Sequence, residues 1–146
     1  MKIVLQRVKE AHVSVDGKIT GQINQGLLIF LGIAKEDTTL QADYLVKKVA
    51  ELRIFEDSEG KMNRSALEVG AQFLVVSQFT LYGDCSKGRR PSFDQAAEPE
   101  KAQELYEYFI QALRRQNVKV ATGVFRAMME VALINDGPVT LVVESV

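Results

Sequence analysis

Asn135-Asp136-Gly137-Pro138-Val139-Thr140 lies between two apolar runs, Val131-Ala132-Leu133-Ile134 and Leu141-Val142-Val143. Strand-like runs flanking Asn-Asp-Gly-Pro are the pattern of a hairpin with a tight turn, which is the first reading of this stretch. Gly137-Pro138 fits that reading awkwardly. Proline removes a backbone donor where the return strand should begin, and the glycine before it leaves the main chain bare and sterically permissive. The second reading is therefore an exposed Gly-Pro carbonyl pair at a sheet edge, able to read a small ligand with main-chain atoms alone. Ser77-Gln78-Phe79-Thr80-Leu81 also places small hydroxyls at the end of an apolar strand, Phe73–Val76.

Working outward, residues 2–8 read as a strand that starts at the first residues, with Arg7 as a charge inside it. Such an arginine usually points to solvent; the alternative is that it reaches a carboxylate or carbonyl at a functional site. Residues 11–15 alternate, setting Val13 and Val15 on one face and His12 and Ser14 on the other. That makes His12 a surface strand residue and a poor general base. Asp16-Gly17 signals a hairpin returning through Ile19–Ile23, and Gly26–Ile33 suits a strand buried on both faces. Thr38 and Gln41 form a capping-box pattern for a helix carrying Leu45, Val49 and Leu52. A short strand and polar turn fit residues 53–65. Pro99 opens a second helix with Ala102, Leu105, Phe109 and Ala112 on its apolar stripe. Val118–Phe125 and Met128–Ile134 are further strand candidates, followed by the turn and Val139–Val143.

This order predicts an α/β fold: a single compact domain, residues 1–146, with mixed β-sheets in layers and two main helices packed on one side. A chain of 146 residues can bury an adequate core. With Lys+Arg 18 against Asp+Glu 19, the charge is nearly balanced, so any nucleic-acid contact must come from a local cationic patch. The single cysteine, Cys85, excludes an intrachain disulfide and a multi-thiolate metal site. The absence of a leader-like start or a membrane-length apolar run reads as a soluble cytoplasmic domain.

Ser77-Gln78-Phe79-Thr80 and Asn135–Thr140 together resemble the paired signature motifs of D-aminoacyl-tRNA deacylases. The resemblance runs the whole length, from Met1–Val8 through Gly88-Arg89-Arg90-Pro91-Ser92-Phe93 to the C-terminus. It implies a homodimer that hydrolyses the ester joining a D-amino acid to the terminal adenosine of tRNA. It implies that Ser77, Gln78, Phe79 and Thr80 of one subunit hold the adenosine and the ester. Gly137 and Pro138 of the other subunit, joined by a cis bond, would point carbonyls into a chiral pocket. Arg7 would brace that turn; Asp136 receives no role.

The residues by themselves allow less. No Ser/His/Asp arrangement can be built around the lone His12, and no His/Asp/Glu spacing suggests zinc, so no metal and no cofactor is expected. Free backbone N–H groups near Phe79 and Thr80 could stabilise a developing oxyanion, and an aminoacyl ester is already activated. The resemblance adds the 2′-hydroxyl of the adenosine as the expected aid to the attacking water. Gly83–Ala97, the longest stretch without periodicity, carries Lys87, Arg89 and Arg90 and reads as a solvated loop or as a contact to tRNA phosphate. Two rivals stay open: a tRNA-binding module without catalysis, and an editing domain that removes a mischarged L-amino acid.

Overall fold

The hairpin expected at Asn135–Val139 does not form. In the computed structural model, which describes Met1–Val146, Glu130–Glu144 is one strand, β8, antiparallel to the first strand along nearly its whole length. That first strand, β1, is also continuous, Lys2–Val15, where two segments were expected. On its other side β1 pairs first with β3 (Gly26–Gly32) and then with β2 (Lys18–Ile23), both antiparallel. The Asp16-Gly17 turn joins β1 to β2, and both of its residues have positive φ.

Two crossovers complete the sheet in parallel. From β3 the chain passes through α1 (Thr39–Glu51), the short hairpin β4 (Phe55–Glu56) and β5 (Met62–Arg64), and α2 (Ala66–Val69), into β6 (Gln72–Ser77). From β6 it passes through a 3₁₀ turn, Phe79–Tyr82, a long loop and α3 (Pro99–Arg114) into β7 (Val120–Thr122). β3, β6 and β7 are parallel neighbours. The sheet is mixed in direction and curls until β2 approaches β7, giving a barrel-like wall with α1 and α3 packed together outside it. Of the expected strand Val118–Phe125 only Val120–Thr122 pairs.

The helices begin where the sequence marks them. Thr38 caps α1 through its hydroxyl, and the Gln41 side chain returns to the Thr38 N–H at 2.7 Å. Pro99 stands in the first turn of α3, where its missing donor costs nothing.

One register slip decides which way β1 points its side chains. Ile3, Leu5 and Arg7 face the helix layer, where the larger core joins Leu27, Ile29 and Phe73 to Leu45, Phe109 and Leu113. Pairing to β8 then shifts between Val8 and Glu10, and one extra residue in a strand inverts its alternation. Beyond the slip, Ala11 and Val13 therefore face inward, against Ile23, Leu28, Leu74 and Val76 in a second core. Each fully buried leucine or phenylalanine in these cores contributes about 2 kcal/mol.

Candidate functional site

Between Gln6, paired with Thr140, and Val8, paired with Asn135, β1 has only Arg7, whereas β8 has Asp136, Gly137, Pro138 and Val139. The surplus leaves the sheet as a bulge. Its neck is held by the Asn135 amide, which donates to the Arg7 carbonyl at 3.2 Å and to the Val139 carbonyl at 3.1 Å. At the tip Gly137 has φ +125°, a region side chains rarely enter, and the Gly137–Pro138 peptide bond is cis, as the resemblance implied. A Cβ on Gly137 would sit 2.9 Å from Arg7 Nη2 and 3.0 Å from Val139 Cγ2. Gly137 and Pro138 are both exposed.

Arg7 does not point to solvent; only 4 % of it is accessible. It lies on the helix-side face of β1, and there the β4 segment and the bulge cover it. Its Nη1 donates to the Ile54 carbonyl at 2.6 Å and its Nε to the Asp136 carbonyl at 3.1 Å. The Asp136 carboxylate lies 3.5 Å from Nε, and Glu56 lies 3.9 Å from Nη2. A buried guanidinium needs this many acceptors, because an unpaired buried charge is costly. Asp136 and Asn135, which carried no expected role, are thus part of the bracket. A polar cavity of about 350 Å³, lined by Arg7, Gln25, Glu56, Arg64, Glu68 and Asp136 among others, opens beside it.

The second stretch lies at the carboxyl end of β6. Ser77 pairs beside Leu31, the Gln78 N–H donates to the Leu31 carbonyl at 2.8 Å, and the chain then winds into the 3₁₀ turn. Phe79 and Thr80 occupy the first positions of that turn, whose amides have no acceptor within it. The Gln78 side-chain amide donates to the Thr80 hydroxyl. Phe79 is 55 % exposed, and Phe93 of the following loop meets it edge-on with 5.1 Å between ring centroids. Lys87, Arg89 and Arg90 are exposed on that loop, and none of them joins an ion pair. Cys85, on the same loop, is a free exposed thiol.

One chain does not bring the two stretches into one pocket. Ser77 sits beside Leu31 and Ile3, whereas the bulge sits beside Arg7, which pairs with Leu27. Four residues along the strands make roughly 13 Å, and the path from β6 across β3 and β1 to β8 adds three strand spacings, about 14 Å. The phenols nearest these regions are poor bases. Burial pushes Tyr106 up to about 12; burial, with Asp37 and Glu144 nearby, does the same to Tyr82. His12 is half-buried in β1 between Gln22 and Ala132, far from either stretch.

The family model described as D-Tyr-tRNA(Tyr) deacylase matches residues 4–144. The chain belongs to this family. D-aminoacyl-tRNA deacylases of Bacillus thuringiensis (strain Al Hakam) and Bacillus anthracis (strain A0248) are each 59% identical to it over 145 residues, 99% of both chains. Among solved structures, a c-Myc DNA Unwinding Element Binding Protein superposes with a TM-score of 0.93 at 40% identity over 99% of each chain. A probable eukaryotic D-amino acid tRNA deacylase gives a TM-score of 0.85 at 19% identity over 98% of each, a likeness of fold. Both β8 and the 3₁₀ turn lie inside the span matched by the deacylase family.

Proposed function

We propose that the protein hydrolyses the ester bond of D-aminoacyl-tRNA, releasing free D-amino acid and tRNA, as a homodimer working in the cytoplasm. The observation that carries this reading is the bulge of β8: exposed Gly137 and Pro138 beside a buried Arg7 that donates to the Asp136 and Ile54 carbonyls. Such a surface presents backbone and no adaptable side chain. The distance between the bulge and the Ser77–Thr80 end within one chain supports a site completed by a second copy. So does the outer edge of β8, which has no strand partner and exposes Ile134, Leu141 and Val142.

In this reading Ser77, Gln78, Phe79 and Thr80 of one subunit hold the terminal adenosine and the ester. Water attacks the ester carbonyl, assisted by the adenosine 2′-hydroxyl. The amides of Phe79 and Thr80 stabilise the oxyanion, and the C–O bond breaks with the proton passing to the leaving ribose oxygen. Gly137 and Pro138 of the other subunit select the amino acid by exclusion. Inverting Cα exchanges hydrogen and side chain, so a wall with room only for hydrogen rejects every L-residue bearing a Cβ. Lys87, Arg89 and Arg90 contact tRNA phosphate.

Turnover of matched aminoacyl-tRNAs tests this. D-tyrosyl-tRNA and glycyl-tRNA are expected to be hydrolysed while L-alanyl-tRNA is spared. Binding without turnover would make the protein a tRNA-binding module, and consumption of the L-ester would make it an editing domain. Glycyl-tRNA as resistant as L-alanyl-tRNA would replace exclusion with positive recognition of the D side chain.

A further inference from the structure

Phe79 and Phe93 are both exposed, at 55 % and 37 %, yet they meet edge-to-face rather than being buried in either core. Their contact is built from several sides. The loop that delivers Phe93 leaves the 3₁₀ turn at Gly83, whose N–H donates to the Thr80 carbonyl at 2.9 Å. A Cβ at Gly83 would lie 3.0 Å from the Phe93 ring and 3.1 Å from that same carbonyl, so the ring occupies the space a side chain would take. Asp84 and Ser92 then exchange two backbone hydrogen bonds, of 2.7 and 2.9 Å, closing the loop just before Phe93. Beyond Phe93 the chain is tied to the body by Ala97 N–H to the Ile33 carbonyl, 2.9 Å, and by Lys35 N–H to the Gln95 carbonyl, 3.1 Å. Phe93 is therefore fixed on both sides, while Phe79 projects from a turn only four residues long.

We propose that Phe93 is a positioning residue for the reaction, holding Phe79, and through it the Ser77–Thr80 end, in the geometry that receives the ester. An edge-to-face pair fixes a ring's orientation as well as its place, which a merely apolar neighbour does not. Loss of the brace removes no group that touches the substrate but lets the Ser77–Thr80 end, which holds adenosine and ester, wander. Displacement of about an ångström at a reacting centre costs up to two orders of magnitude in rate. The signature is thus a fall in kcat larger than any accompanying rise in KM. The inference rests on the deacylase reading.

The experiment compares the wild-type protein with Phe93→Ala, Phe93→Leu and Phe93→Tyr, using D-tyrosyl-tRNA and the minimal ester D-tyrosyl-adenosine, with melting curves for all four. Phe93→Ala is expected to lose roughly tenfold or more in kcat on both substrates, and Phe93→Tyr, which keeps the ring, to recover it. Phe93→Leu keeps apolar bulk without a ring edge, is expected to melt close to wild type, and is expected to stay impaired. Full kcat in Phe93→Leu, or a loss confined to KM, overturns the positioning role. If the wild type itself hydrolyses neither D-ester, the deacylase reading fails instead, and the two failures are told apart by that control.

Discussion

Gly137 is the residue at which backbone conformation and side-chain packing make the same demand. Its φ of +125° excludes a side chain, and Arg7 and Val139 fill the space a Cβ would need. Gly137→Ala is expected to cost about 1–3 kcal/mol through forced φ and displaced neighbours. It is also expected to abolish turnover of D-esters, because the added methyl and the displaced wall obstruct the pocket that receives the amino acid, read from urea midpoints and turnover side by side. Arg7→Met tests the bracket differently. It leaves the Ile54 and Asp136 carbonyls without their guanidinium partner, and about 1–3 kcal/mol of destabilisation is expected for losing these charge-assisted hydrogen bonds. A variant as stable as wild type would mean that the bulge stands without Arg7. Thr80 presents its hydroxyl to Gln78, so Thr80→Ala is expected to keep most of its turnover, whereas removal of a true nucleophile costs several orders of magnitude.

Among the elements, α3 is joined to the sheet by one buried polar contact that can be read through pH. The Tyr106 hydroxyl donates to the Val75 carbonyl at 3.0 Å, and that carbonyl also accepts from Gly123 N–H at 3.1 Å. Tyr106→Phe therefore loses one hydrogen bond without stranding an acceptor, at a cost of about 1 kcal/mol near neutrality. Burial holds the folded-state Tyr106 phenol near 12, above its ordinary value of 10.0. The unfolded chain thus ionises first. The contribution of Tyr106 is complete below pH 10 and is lost as pH rises towards 12. Urea midpoints of wild type and variant are expected to differ by a constant amount up to pH 10 and to converge above it. A gap that stays constant to pH 11.5 would show that the phenol is not held in its neutral form by the fold. Tyr82 titrates in the same range, so the variant keeps part of the alkaline sensitivity.

For the whole molecule, the decisive expectation is that one site needs two chains. A Gly137→Ala chain and a chain altered at Gln78 and Phe79 are each expected to be inactive alone. Mixed by co-refolding, they should recover about a quarter of wild-type activity, since half the random pairs are mixed and each has one intact site of two. No recovery, with light scattering showing monomers, would return each site to a single chain. The cationic loop is tested by salt. Neutralising Lys87, Arg89 and Arg90 is expected to flatten the logarithmic salt dependence of tRNA binding by roughly two to three units. An unchanged slope would make that segment an ordinary solvated loop.

The sequence by itself determined the local elements of this protein, because their signals lie within a few residues: Thr38 with Gln41, Asp16-Gly17, Pro99 and the apolar stripe of α3. It also carried both signature stretches, whose chemistry resides in the residues themselves. It could not tell a hairpin from a bulge at Asn135–Val139, since a tight turn and a strand surplus use the same glycine and proline. That choice belonged to β1, more than a hundred residues away, whose whole length offers β8 a partner on both sides of Gly137. The residues leave the environment of Arg7 open, between solvent and a carbonyl or carboxylate, and the resemblance implies a brace for the turn. Strand alternation shows which face a side chain takes, but only the folded chain brings Ile54, Glu56 and Asp136 over that face and decides for the buried bracket.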